Sequence, residues 1–253
     1  PDHVNKMRVA TRRLRSLLKT FRPLFDTDRT RPLRAELRWL GAVLGEPRDA
    51  EVLREEFGDL LAELGADVPA EVRHGILDHL TDHHDRAHAA LVAELDGARA
   101  AALRESLVEL LVDPPLRRRA RKPAGDVLPE LQERAVREVA ELREHARSAP
   151  DDLERWHEVR KAAKAVRYAC EALADAIPGL AEEAELWEEV TESLGELQDT
   201  AVAAELIADV ARRAGADPDT GAWRVLRDAQ ADRRTAAFAA GQLALAAVLD
   251  RGE

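Results

Sequence analysis

Residues 4–19 read VNKMRVATRRLRSLLK, and a related string, HEVRKAAKAVRY, returns at 157–168. That recurrence constrains the fold more than any other feature of the chain. At about 100° per residue, Met7, Leu14, Leu18 and Phe21 fall on one side of a helix. Arg8, Arg12, Arg15 and Lys19, spaced 4, 3 and 4, form a second stripe about a quarter turn away. In the second half Val159, Val166, Cys170 and Leu173 repeat the apolar stripe, and His157, Arg160, Lys164 and Arg167 repeat the basic one. Each helix has an apolar side that packs and a neighbouring side that is densely positive.

The rest of the chain follows the same plan. Set against residue i+152, Met7 meets Val159, Arg8 meets Arg160, Arg12 meets Lys164, Leu14 meets Val166 and Arg15 meets Arg167. Further on, LGEPRD at 44–49 matches LGELQD at 194–199, with the offset reduced to 150. A basic helix followed by a Leu-Gly-Glu-x-x-Asp helix junction therefore occurs twice, which predicts a duplicated helical bundle with a core in each half. Apolar periodicity predicts helices near 3–20, 30–44, 48–64, 69–95, 97–112, 127–147, 152–176, 180–195, 198–214 and 221–249. The stretch DPPLRRRARKPAGD at 113–126 carries no such period and holds three Pro and a Gly, so it reads as a linker. The expected organisation is a first repeat at 1–112, a basic linker at 113–126 and a second repeat at 127–253.

Composition agrees. Ala, Leu, Arg and Glu, all strong helix formers, dominate, while aromatics make up 4%. The expected class is all-α, at a length that can bury a proper core. The single cysteine, Cys170, excludes an internal disulfide and fits a reducing compartment. No apolar run approaches the roughly 20 residues that span a bilayer, so no membrane partner is expected and the default location is cytoplasmic. The chain opens PDHV, without an initiator Met, and is expected to be a processed product or a piece of something longer.

Charge is distributed unevenly. The chain has a formal net charge of −11, yet residues 1–34 hold ten cations against three acids. The segment is thus +7, and the other 219 residues carry −18. A basic patch on an acidic body points to a specific anionic partner rather than general adhesion to polyanions. Four like charges in a row are unfavourable unless something negative lies opposite. That something is either carboxylates of the protein (Glu36, Glu46, Asp49, Glu196 and Asp199 are at hand) or a bound anion. Cations about 5–6 Å apart along a helix suit an extended polyanion better than one small phosphate. No helix-turn-helix or basic-zipper pattern accompanies them, and only Tyr168 offers an aromatic for base stacking. A polyanion without bases fits better, and no specific nucleic acid is expected.

VNKMRVATRRLR, with WLGAVLGEPRD downstream, resembles the opening of a CHAD domain, the conserved-histidine α-helical domain. HEVRKAAKAVRYACEAL resembles the start of that domain's second half. The resemblance covers essentially the whole chain. It implies two four-helix bundles related by a pseudo-twofold axis and binding of inorganic polyphosphate, without catalysis and without a cofactor. The residues expected to bind it are Arg8, Arg12, Arg13, Arg15, Lys19, Arg22 and Arg48, with His157, Arg160, Lys161, Lys164, Arg167 and Tyr168. The stripes would line the two sides of a basic groove. Polyphosphate granules would then be an associated location.

Two positions depart from the pattern. The family histidine is replaced by Asn5 in the first half, whereas His157 matches in the second. Asn5 can donate a hydrogen bond but cannot become cationic. Glu171 aligns with Lys19 and shortens the second stripe. CHAD domains are often fused to triphosphatase domains, but their alternating Glu-x-Glu-x-Lys strand is absent, so such an enzyme would lie outside this chain. The alternatives are a hydrolase acting on phosphoanhydrides in the basic groove, or an adaptor for nucleic acid or protein.

Other clusters carry less. His79/His83 and His84/His88 are i,i+4 pairs that point about 140° apart, so they read as a polar face rather than one metal site. Cys170 lies on the apolar stripe and reads as a core residue, not a nucleophile. Arg117, Arg118, Arg119, Arg121 and Lys122 read either as a flexible basic loop or as an addition to the groove. No Gly-rich phosphate loop, Walker motif or nucleophile elbow is present.

Overall fold

The structure, a computed structural model, describes residues 2–250; Pro1 and residues 251–253, at the edges of the two expected repeats, lie outside the described residues. Eight α-helices make up the described residues: α1 (Asp2–Thr20), α2 (Thr27–Leu64), α3 (Ala70–Leu95), α4 (Ala98–Val112), α5 (Ala124–Arg147), α6 (Leu153–Leu173), α7 (Leu180–Arg213) and α8 (Gly221–Leu249). Three short 3₁₀ turns join them, and the one antiparallel bridge, Phe25 to Leu116, is isolated. The fold is all-α, as the composition predicts.

Two expected breaks are absent. The segments 30–44 and 48–64 form the single helix α2, which runs through Pro47. A proline inside a helix removes one hydrogen bond and crowds the preceding turn, at a cost of ~3 kcal/mol. The continuous face that buries Leu37, Leu44, Ala50, Phe57 and Leu60 outweighs it. Likewise 180–195 and 198–214 are one helix, α7, because Gly195 alone costs only about 1 kcal/mol. Both Leu-Gly-Glu motifs therefore lie mid-helix, not at helix junctions.

The residues gather in two compact units that are not contiguous in sequence. One comprises residues up to Arg12, Pro32–Asp113 and Thr200–Asp232; the other comprises Arg13–Arg31, Pro114–Asp199 and residues from Arg233 on. Helices α1, α2, α7 and α8 contribute residues to both, so these units do not coincide with the sequence halves 1–112 and 127–253.

The first unit has its core in Phe57, Leu60, Ile76, Leu80, Ile207, Trp223 and Leu226. Arg73 braces the α2–α3 turn by donating to the carbonyls of Leu61 (2.7 Å) and Val68 (3.0 Å). On α1 the buried position of this unit is Thr11, and Met7 is 41% exposed. The sequence places Met7 on the packing stripe. Thr11 lies on the same stripe, packs within van der Waals reach of Gly41, and satisfies its hydroxyl by donating to the Met7 carbonyl at 2.7 Å.

The second unit is built on Val139, Trp156, Val159, Val166, Trp187, Val190, Leu194 and Leu245. Trp156 meets Phe238 edge-on with ring centroids 5.3 Å apart. Its indole N–H donates to the Pro150 carbonyl at 2.9 Å. Leu18 is buried, and Phe21 packs with Val127, Leu131 and Ala169. Residues 113–126, the expected basic linker, contain some regular structure. They hold a 3₁₀ turn at Arg118–Arg121 and run into α5, and Phe25 and Leu116 pair where the chain passes Leu24–Asp26.

Candidate functional site

Helix α6 is set in register at its start. Asp152 caps it by accepting from the N–H groups of Glu154 (3.1 Å) and Arg155 (3.3 Å). Arg155 ties it to the end of α5 through the His145 carbonyl and the Ser148 hydroxyl, at 3.0 and 2.9 Å. In that register Val159, Val166 and Cys170 are fully buried. His157, Arg160, Lys164 and Arg167 are left half-buried along the neighbouring face. Burial of the one stripe positions the other.

Two of these cations are anchored by Thr191, a buried residue of α7. Arg160 Nε donates to its carbonyl at 3.3 Å and Arg167 Nη1 donates to its hydroxyl at 3.4 Å. Arg160 also lies over Gly195: a β-carbon there would stand 2.8 Å from Arg160 Nη2. Glu188, Thr191 and Gly195, spaced 3 and 4, thus form the α7 face that receives the α6 arginines. A side chain at 195 would displace the end of Arg160 from this face.

Carboxylates answer part of the charge. Arg167 pairs with Glu171 at 2.9 Å and with Glu188, and Arg13 pairs with the same Glu171. Arg13 also sits 5.6 Å above the Tyr168 ring, within cation–π range. Glu171, which shortens the basic stripe in sequence, is therefore the centre of a cluster joining Arg13, Arg167 and Tyr168. Lys19 meets Glu138 at 3.1 Å, and Lys161 pairs with Glu158 one turn back on its own helix. Arg15 and Lys164 each have further interactions. Arg22 is exposed in the 3₁₀ turn that follows α1.

In the first unit Arg8 pairs with Asp49 at 2.8 Å. A β-carbon on Gly45 would lie 3.5 Å from Asp49 Oδ2 and 4.0 Å from Arg12 Nη2, so the first Leu-Gly-Glu glycine also faces the basic helix. Arg48 pairs with Glu51 at 2.6 Å, and the bond holds Glu51 below the usual carboxylate range. Glu36 is drawn away from the stripe to Arg99, 2.7 Å from its Nε. Asn5 is half-buried on α1.

His157 stands apart from the paired cations. Its Nδ1 is buried without a hydrogen-bond partner. Burial, and next the charge of Lys161, pull its pKa below the ordinary histidine value. Cys170 is fully buried with Gln132 3.9 Å from its sulfur, and burial pushes its pKa up to about 12, which suits a core residue. On α3, His84 and His88 stack at 5.9 Å. Among the described residues no three His, Cys, Asp or Glu side chains gather as a metal site.

Sequence reasoning missed Thr191 and Glu188 and read Glu171 only as a loss. A threonine and a glutamate at helical spacing ahead of the Leu-Gly-Glu motif are the signal that was available.

A family model described as CHAD domain matches residues 1–208. Two uncharacterised proteins from strains of Mycobacterium tuberculosis are 30% identical over 249 residues. The match covers 91% of this chain and 45% of each of theirs, so the chain spans under half the length of these relatives. Among solved structures, PptA from Streptomyces chartreusis is similar at a TM-score of 0.79 and 24% identity, covering 96% of this chain and 89% of that one. The CHAD domain from the plant Ricinus communis is similar at a TM-score of 0.66 and 24% identity, covering 96% and 80%. No helix of the described residues is long and apolar enough to cross a membrane.

Proposed function

The chain belongs to the CHAD domain family, and we propose that it binds inorganic polyphosphate, a general property of that family, through the cations of α1 and α6. One observation carries the reading furthest. Helix α6 presents His157, Arg160, Lys164 and Arg167 at spacing 3, 4 and 3, with Arg160 and Arg167 held on Thr191 and a ring nitrogen of His157 left without a partner. A guanidinium already oriented loses less freedom on meeting a phosphate oxygen than a free one. Arg8, Arg12, Arg13, Arg15 and Lys19 of α1 belong to the same function, with Arg22, Arg48, Lys161 and Tyr168 as lesser contacts. Sequence halves 1–112 and 127–253 are proposed as the repeats of a duplication, which accounts for the paired stripes.

The role is binding without catalysis. Affinity should rise with polymer length and fall steeply with salt. The test is a salt-titrated comparison of polyphosphate, single-stranded RNA and DNA on wild-type protein and on a variant carrying Arg12→Glu and Lys164→Glu. Salt-dependent binding of polyphosphate in preference to RNA and DNA, lost in the variant with helicity intact, is the expected result. Equal affinity for phosphate and long polyphosphate would sink the reading. Release of phosphate from polyphosphate with Mg²⁺ or Mn²⁺ would replace it by hydrolysis. Placement in the cytoplasm at polyphosphate granules follows from the ligand and is checked by fluorescence microscopy of the tagged protein.

A further inference from the structure

Four cations without a counter-charge stand together in one short turn outside the α-helices. Arg117, Arg118, Arg121 and Lys122 are exposed, and among the described residues their side chains have no hydrogen-bond or ion-pair partner. Only Arg119 in this stretch is paired, to Glu130 at 2.5 Å. The helix arginines Arg8, Arg13 and Arg167 each meet a carboxylate. The chain has 49 acids, yet among the described residues none pairs with these four neighbouring cations.

The backbone beneath them is held. The Arg117 N–H donates to the Leu24 carbonyl at 2.8 Å, and the Asp26 N–H donates to the Pro115 carbonyl at 2.7 Å. Within the turn the Ala120 N–H donates to Arg117 and the Lys122 N–H to Arg119, at 2.9 and 3.2 Å. Residues three apart eclipse in a 3₁₀ turn with a rise of about 2 Å per residue, so Arg118 and Arg121 share a face about 6 Å apart. Four unpaired charges on a fixed scaffold are repelled by one another and gain from a shared anion.

We propose that the turn 117–122 is a further polyphosphate contact, distinct from the α1 and α6 stripes and contributing a separate share of the electrostatic binding. The proposal rests on the polyphosphate reading above. Inorganic polyphosphate is the occupant because its charges are closely spaced along one flexible chain, and no aromatic side chain in 113–126 would stack a base.

The test uses the full chain with Arg117→Gln, Arg118→Gln, Arg121→Gln and Lys122→Gln combined, leaving Arg119 in place. Binding of long-chain polyphosphate is measured across a salt series. Each engaged cation contributes about 0.7 to the salt slope of a single-stranded polyanion, so the slope should shallow by about 3 and low-salt affinity should drop at least tenfold. The double variant Arg118→Gln and Arg121→Gln should lose about half the slope change, which keeps the test decisive if the quadruple variant folds poorly. Wild-type binding with an unchanged slope in both variants overturns this contact and leaves the helix reading intact. Absence of wild-type binding overturns the helix reading and this contact with it.

Discussion

At the scale of single residues, the candidate site is a contest between internal carboxylates and an external anion. Glu171 serves two arginines at once, so a phosphate reaching Arg13 or Arg167 must compete with it. Glu171→Gln should tighten polyphosphate binding roughly threefold to tenfold, on the order of 1 kcal/mol for a partly exposed pair; weaker binding by titration calorimetry would show that Glu171 positions the arginines instead. His157 behaves oppositely, because its folded pKa lies below the unfolded value. Its contribution to stability is therefore full above about pH 6.5 and is lost as pH falls through that value toward the folded pKa. A bound polyanion favours the charged ring, so affinity should strengthen over the same acidic interval. The His157→Gln variant should lose that pH-dependent component while keeping the salt dependence.

At the scale of elements, the site depends on which helix face is buried and on what the facing helix leaves open. A β-carbon at Gly195 would meet only the far end of the Arg160 side chain. Alanine is favoured there by about 1 kcal/mol of helix propensity. Gly195→Ala should therefore leave the free energy of unfolding measured in urea within about 1 kcal/mol of wild type while lowering polyphosphate affinity severalfold. A large stability loss with unchanged affinity would show that the glycine serves packing, not the arginine. The periodic pattern made the helices and both basic faces legible. It could not show that α2 and α7 run unbroken, because a proline or glycine is a local cost and the burial that offsets it comes from residues distant in sequence.

At the scale of the molecule, Cys170 offers a report on folding. The thiol is fully buried in the core that holds Trp156 and Trp187, and its pKa is pushed up to about 12. Reaction with iodoacetamide at pH 8 should be negligible in the native protein and should appear together with the loss of helical circular dichroism in urea. Rapid native labelling would mean that the core around α6 opens far more readily than the rest.

Local order is what the sequence by itself determined: an all-α chain, two amphipathic basic helices, a cysteine in the core and an excess of positive charge at the start. Those properties need only neighbours three or four residues away. Tertiary structure alone decided which cations are already answered. Arg13 finds Glu171 across 158 residues and Arg8 finds Asp49 across 41. Thr191 receives both Arg160 and Arg167, Arg167 also meets Glu171 and Glu188, and among the described residues Arg117, Arg118 and Arg121 stand on a held turn without a side-chain partner. Charge pairing over such separations follows from how the helices pack, and no periodicity along the chain encodes it.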